Sequence, residues 1–352
     1  MNNSPPGSFE EINRSSTNGE VVMLVEGLSR ALALHGSGPV LNLQRLSAGA
    51  TQEIWSFDFG ESEAPERMVL RRAPLAAPAG EFAIPLSLEA KVMERAAQAG
   101  VPVPRVRTVL RPDLGLRDGY IMDWVAGETL PSRVMRRPEF AAARQGFAEQ
   151  AGTILALLHR SSTDGLDLPA ASPSNLVGKL DALYRASSNR RPVFDLALHW
   201  LEAHIPPPSE VCLVHGDFRN GNLMFGPDGI RAVLDWELAH LGHPVEDVAW
   251  LTINSWRFGA VDKPAGGIGE LDPFLRAYER VSGSRVDPEV LRFWQVYGTL
   301  RWGVICAGMV RQIDSGLDRT PERAIIARRA SETELDLLML LVPREDRETH
   351  NG

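Results

Sequence analysis

Between residues 40 and 72 the pattern changes to three short β-type runs, 40–46, 53–59 and 68–72, separated by turn formers, with apolar and polar positions alternating most clearly in 53–59. Alternation with a period of two marks half-buried strands, so this stretch predicts a small antiparallel sheet. Two further runs, 106–110 and 120–124, complete it. Inside that succession, 85–97 switches to helical spacing, with Leu88, Val92, Met93 and Ala96 on one side, and Pro102 and Pro104 end it. A helix over 20–33 leads into the sheet, while 1–18, rich in Asn, Ser, Pro and Gly without periodicity, reads as a mobile tail.

Beyond Gly127 the spacing turns helical over 141–159, 175–185, 193–204 and from 272 onward, interrupted by one compact β segment at 211–236. The predicted organisation is α+β: the tail, a β-rich N-terminal lobe over 19–125, a crossing hinge at 121–128 and a helical C-terminal lobe over 129–345. A chain of 352 residues can bury two such cores.

Composition then removes whole classes of partner. Lys plus Arg number 37 against 45 Asp plus Glu, a formal charge of −8 with no basic run, which argues against nucleic acid. The longest apolar stretches, 302–310 and 337–342, fall well short of the ~20 residues of a membrane span. Residues 1–7 lack the basic start and apolar run of a secretion signal, and only Cys212 and Cys306 could pair, so a reducing, cytoplasmic compartment is expected.

The chemistry concentrates in the β segment. An apolar run, 211–214, ends abruptly in His215-Gly216-Asp217-Phe218-Arg219-Asn220-Gly221-Asn222, and two β runs then flank Gly226-Pro227-Asp228-Gly229, a hairpin turn. Pairing Phe225 with Ile230 sets Leu223 against Ala232 and brings Asn222 and Asp235 to the end away from the turn. An amide oxygen beside a carboxylate is a hard-oxygen pair suited to Mg²⁺, which keeps its other positions for water and phosphate. Asp217, on the loop entering the same end, can accept the proton of an attacking hydroxyl, so the pattern proposes phosphoryl transfer.

The spacing HxDxxxxN at His215, Asp217 and Asn222, followed by Asp235, resembles the kinase catalytic loop and metal aspartate. His-Gly-Asp in place of His-Arg-Asp, and Asp235-Trp236-Glu237 in place of Asp-Phe-Gly, resemble the aminoglycoside phosphotransferase family of small-molecule kinases. The loop together with Val-Leu-Asp-Trp-Glu-Leu at 233–238 is most similar to the branch related to kinase domains fused to acyl-CoA dehydrogenases, and the likeness runs over 41–303. It implies a protein-kinase-like two-lobe fold, with a small antiparallel β N-lobe and a larger, mainly helical C-lobe, using ATP and Mg²⁺.

The same resemblance distributes roles. Asp217 is the base or hydroxyl-orienting group, His215 fixes the loop, Arg219 lies where a cation meets the transferred phosphate, and Asn222 and Asp235 are metal ligands. Ser47, Ala48, Gly49, Ala50 and Thr51 would let backbone amides approach phosphates, with one glycine instead of a GxGxxG. Arg71 stands where a lysine is expected, with Arg72 as the alternative, and Glu89 on the next helix would orient it. Met122, Asp123 and Trp124 fall at the hinge, which would hold adenine through its backbone, and Asp247 would brace the catalytic loop.

The acceptor is a small hydroxylated molecule bound against the helical lobe, where Trp236, Trp250, Trp256, Trp294 and Trp302 gather. A hydroxyacyl-CoA-like compound would want basic residues such as Arg301 or Arg311 at the mouth; an aminoglycoside would want acidic ones. The competing reading from another class is a catalytically silent nucleotide-binding module, prompted by the missing glycines and Arg71. A zinc site is disfavoured, because Cys212, His215, His240 and His243 do not form paired clusters at zinc-ligand spacing.

Overall fold

The structure, a computed structural model, describes residues 9–46, 52–61, 64–74, 83–187, 190–314 and 320–342. It divides into two compact units, Met1–Glu94 with Pro104–Val125, and Arg95–Val103 with Ala126–Gly352.

The first unit is built on strands β1 (Val40–Arg45), β2 (Glu53–Phe59), β3 (Glu66–Arg72), β4 (Val106–Val109) and β5 (Gly119–Asp123), joined antiparallel in the order β1-β2-β3-β5-β4. Alternation works as the pattern requires. Trp55, Phe57 and Phe59 of β2, Met68 and Leu70 of β3 and Ile121 of β5 share a core with Leu24, Leu28 and Leu32, spaced four apart along α1 (Phe9–Leu32). That helix begins earlier than its apolar stripe, so residues 9–18, expected as part of a mobile tail, are its first turns. An unpatterned helix start carries no periodic signal, which is why the sequence pattern stops short of it. The last helix to begin in this unit, α2 (Leu86–Gln98), buries Ala90, Val92, Met93 and Ala96.

Residues 95–103 group with the second unit rather than with the N-terminal lobe expected over 19–125. The reason is their bonding: Arg95 donates to the carbonyls of Ser162 and Asp164, and the Pro102 carbonyl accepts from Val233 N–H at 2.8 Å. The second unit continues through α3 (Pro131–Arg136), α4 (Ala141–His159), α5 (Pro173–Arg185), α6 (Pro192–Ala203), β6 (Cys212–Val214), β7 (Leu223–Gly226), β8 (Gly229–Val233) and β9 (His240–Gly242). It ends with α7 (Val245–Thr252), α8 (Leu271–Ser282), α9 (Pro288–Asp314), α10 (Pro321–Arg328) and α11 (Ala330–Leu341). Among the described residues no helix is long and apolar enough to cross a membrane.

Two short antiparallel ladders carry the chemistry, β6 with β9 and β7 with β8. Phe225 does face Ile230, but Leu223 faces Val233 and Met224 faces Ala232, so the expected pairing of Leu223 with Ala232 is corrected by one residue. A bulge at Arg231 causes the shift: its side chain turns outward to Asp228 and to the Ala126 carbonyl and takes no place in the ladder.

Beneath them α4 and α8 meet at Gly152, where an added Cβ would collide with the Phe274 carbonyl oxygen on the neighbouring helix. Gly152→Ala should therefore destabilise the protein by about 1–3 kcal/mol despite alanine's better helix propensity. Equilibrium urea unfolding measures this; an unchanged or raised midpoint contradicts the packing.

Candidate active site

Cys212, Leu213 and Val214 of β6 are all buried, and the chain leaves them into the loop 215–222 through a sharp turn. Gly216 makes that turn at φ +79°, and a Cβ there would lie 2.5 Å from the Leu238 carbonyl oxygen, so no side chain fits. The turn points two consecutive amides inward. His215 N–H and Gly216 N–H donate to the two carboxylate oxygens of Asp247, at 2.7 and 2.9 Å, and His159 Nε2 adds a third bond at 3.2 Å. Asp247 lies in the first turn of α7 and is fully buried. Burial alone would raise its pKa, but His159, His215 and these bonds hold it below the usual aspartate value, so it remains a carboxylate.

The His215 ring is spent on the main chain. Its Nδ1 accepts the Asp217 N–H at 3.1 Å, which leaves the proton on Nε2, and Nε2 donates to the Leu234 carbonyl at 3.1 Å. The ring packs on Trp236, with centroids 4.5 Å apart. His215 is thus a strut between loop and hairpin, with neither nitrogen left for substrate. Leu234 is held from the other side too, because its N–H donates to the Asn222 carbonyl at 2.8 Å. The bulge at Arg231 brings Asn222 opposite Leu234 instead of Val233, one residue closer to Asp235. Asp235 follows, half-buried and at φ +64°.

Asp217 receives three side chains. Trp250 Nε1 donates to Oδ1 at 2.8 Å, Asn222 Nδ2 to Oδ2 at 2.7 Å, and Arg219 Nε lies 3.0 and 3.2 Å from the two oxygens. Four contacts match the ~4 acceptor positions of a carboxylate. Because Asn222 commits Nδ2 to Asp217, its Oδ1 and the Asp235 carboxylate are the hard-oxygen donors at this end of the hairpin. Among the described residues no three His, Cys, Asp or Glu side chains form a metal-binding group. Two such oxygens would suit Mg²⁺, which reserves positions for water and phosphate.

In the first unit, strand parity separates the two candidate arginines. Arg71 faces buried Glu89, Nε to Oε1 3.3 Å, and Tyr120 OH donates to the same oxygen at 3.1 Å. Arg72 turns the other way, to Glu53 and Glu20, beside the Trp55 ring. At the expected hinge, Asp123 N–H and Trp124 N–H donate to the carbonyls of Arg105 and Arg67, so these two amides are used within the sheet. The Arg67 guanidinium also covers the Trp124 ring at 4.1 Å. Ser47, Ala48, Gly49, Ala50 and Thr51 lie outside the described residues.

The model of a phosphotransferase enzyme family matches residues 42–294, most of the chain. This chain belongs to that family. Mouse acyl-CoA dehydrogenase family member 10 is 29% identical over 249 residues, 63% of this chain, and rat acyl-CoA dehydrogenase family member 11 is 30% identical over 181. The chain spans about a fifth of the length of these relatives, 21% and 22%. Among solved structures, a Ralstonia eutropha protein assigned as an aminoglycoside phosphotransferase superposes with a TM-score of 0.72 at 23% identity, covering 90% of this chain and 97% of that one. A thermostable mutant aminoglycoside phosphotransferase bound to AMP-PNP and hygromycin B gives 0.58 at 18%, covering 90% and 99%.

Around Asp217 the phosphotransferase carries paired cations and rings. Arg219 lies over Trp256 at 4.6 Å, Trp256 packs on Trp250, and Arg301 lies over Trp250 at 4.8 Å while donating to the Gly216 carbonyl. Trp236 and Trp294 are fully buried core. The contact of Trp250 with Asp217 was absent from the sequence reading, although Trp250 follows Asp247 by three residues and so shares its helix face. His159 gave no signal, since only the tertiary packing of α4 against α7 brings it to Asp247.

Two neighbouring histidines make the fold pH-sensitive. His243 accepts the Val245 N–H through Nδ1, and burial pushes its pKa down from 6.5 to about 4. His240 donates through both nitrogens, to the Leu238 carbonyl and the Glu246 carboxylate; burial opposes its charge, but Glu246 keeps its pKa above the usual value. Between about pH 4 and 6.5 the unfolded chain holds the extra proton on His243, so stability falls with acid. Above pH 6.5 the folded chain holds it on His240, so that contribution is lost as pH rises through the raised value. Melting temperature should peak near pH 6.5, with His243→Gln flattening the acid side and His240→Gln the alkaline side. Thermal melts across pH 4–9 that leave both slopes unchanged in these variants contradict the assignment.

Proposed function

We propose that this phosphotransferase moves the γ-phosphoryl group of ATP to a hydroxyl of a small acyl compound, hydroxyacyl-CoA-like, in the presence of Mg²⁺. The observation that carries the reading is the Asp217 carboxylate bonded to Asn222, with Asp235 next to the residue that Asn222 holds across the hairpin. A metal ion bound by Asn222 Oδ1 and Asp235 would neutralise charge on the phosphates. In the transfer, the acceptor oxygen forms a bond to the γ-phosphorus and the bond from that phosphorus to the bridging oxygen breaks, its electron pair leaving with ADP. The acceptor's proton passes to Asp217. Because Arg219 occupies a position on each Asp217 oxygen, it must turn aside first, and a phosphate is the anion that would draw it.

On the nucleotide side, Arg71 held by Glu89 is the cation for the phosphates in place of lysine. Met122, Asp123 and Trp124 border the adenine site, where the amides of Asp123 and Trp124 already serve the sheet. An anionic acyl acceptor is supported by the acyl-CoA dehydrogenase relatives and by the guanidinium groups of Arg219 and Arg301 on Trp256 and Trp250, which would repel a polycationic aminoglycoside. Cys212 and Cys306 are buried free thiols whose pKa values burial raises, so neither is poised as a nucleophile for the reaction.

Asp217→Asn should lower turnover by about 10²–10⁴ while nucleotide binding persists. Asp235→Asn should instead abolish the dependence of nucleotide binding on Mg²⁺. ADP release with hydroxyacyl-CoAs, aminoglycosides, choline and sugars, alongside calorimetric titration of ATP with and without Mg²⁺, checks both. Full turnover by Asp217→Asn, or release driven by aminoglycosides alone, overturns the respective part of the reading.

A further inference from the structure

Resting on the phosphoryl-transfer reading, we infer that Trp250 is a positioning residue for Asp217, fixing the carboxylate through its indole N–H. Both carboxylate oxygens of Asp217 are fully engaged. Oδ1 accepts from Trp250 at 2.8 Å and Arg219 at 3.0 Å; Oδ2 accepts from Asn222 at 2.7 Å and Arg219 at 3.2 Å. Arg219 is the longer contact on each oxygen and a quarter of its side chain is exposed, so it is the donor that can leave. Its departure frees one position on each oxygen. Trp250 and Asn222 remain, one bond apiece, and the carboxylate cannot rotate about its bond to Cβ without breaking one of them.

The indole is itself immobilised. Trp250 is buried in α7, three residues after the Asp247 that bonds the amides of His215 and Gly216, so one helix face grips both the backbone and the carboxylate of the loop. Trp256 packs against its ring at 5.3 Å, and Arg301 covers it at 4.8 Å while donating to the Gly216 carbonyl. Contacts to the ring and contacts to the loop thus come from the same neighbours, a coupling that simple core packing does not require.

Trp250→Phe keeps an aromatic ring but removes the bonded N–H together with the pyrrole half of the indole, so a second buried tryptophan must report what the lost volume alone does. Trp250→Phe should lower kcat roughly tenfold to hundredfold, the scale of one hydrogen bond to a charged group, and leave the KM for ATP and the acceptor near wild type. Trp294→Phe is the control, since its buried indole nitrogen has no hydrogen-bond partner and it packs in the core against His243 and Tyr297; kcat should be unchanged. A second readout needs no activity: of the eight indole N–H signals in a ¹⁵N spectrum, the one lost in Trp250→Phe should shift in Asp217→Asn. Wild-type kcat in Trp250→Phe, an equal loss in Trp294→Phe, or an unshifted indole signal overturns the positioning role. A wild type inactive with every acceptor, while the indole signal still shifts, instead removes the phosphoryl-transfer reading and leaves the hydrogen bond in place.

Discussion

A carboxylate taken wholly out of water must find donors on every side, and Asp247 finds them in the amides of His215 and Gly216 and in His159. Those two amides are presented together only because the chain bends at Gly216 into a conformation open to glycine. The bond pattern and the bend therefore require one another. Once the bend is set, the His215 ring reaches Leu234, Leu234 reaches Asn222, and the hairpin end that carries Asn222 and Asp235 is tied to the loop that carries Asp217. One buried charge organises three polar side chains it never touches.

The fold was largely legible because its signal is periodic. Strand β2 sends Trp55, Phe57 and Phe59 to one core, and the runs 53–59 and 68–72 mark β2 and β3 within two residues, although β3 is buried without a break over 68–72. What escaped has no period. The first turns of α1 show no apolar stripe, and β9 is three residues long and pairs with β6 across a long sequence separation. The register of the hairpin was missed by one residue because a bulge is chosen by where Arg231 can bond, to Asp228 and the Ala126 carbonyl, not by hydrophobic pattern.

The candidate site divides along a similar line. The neighbourhood of Asp217, Asn222 and Asp235 was legible because spacing on a loop and a hairpin fixes it in sequence, whereas Asp247, on α7, came only from the family resemblance. Parity along β3 was enough to choose Arg71 over Arg72 as the arginine facing Glu89. Trp250 and His159 were hidden, since their contacts are made by helices meeting in space, and at the hinge the sequence could not say which amides the sheet had already taken.

Two arginine–carboxylate pairs, Arg71 with Glu89 and Arg219 with Asp217, differ in their surroundings. Arg71 and Glu89 expose 9% and 1% of their side chains, and removing either partner would strand a buried charge, so this pair is fixed. Arg219 and Asp217 expose 26% and 15%, and a pair reached by solvent is worth little and parts readily. Under the proposed function, a cation staying beside a nucleotide's phosphates would call for the first environment, and a base that must be uncovered before it takes a proton for the second. Burial, more than residue type, separates the two pairs.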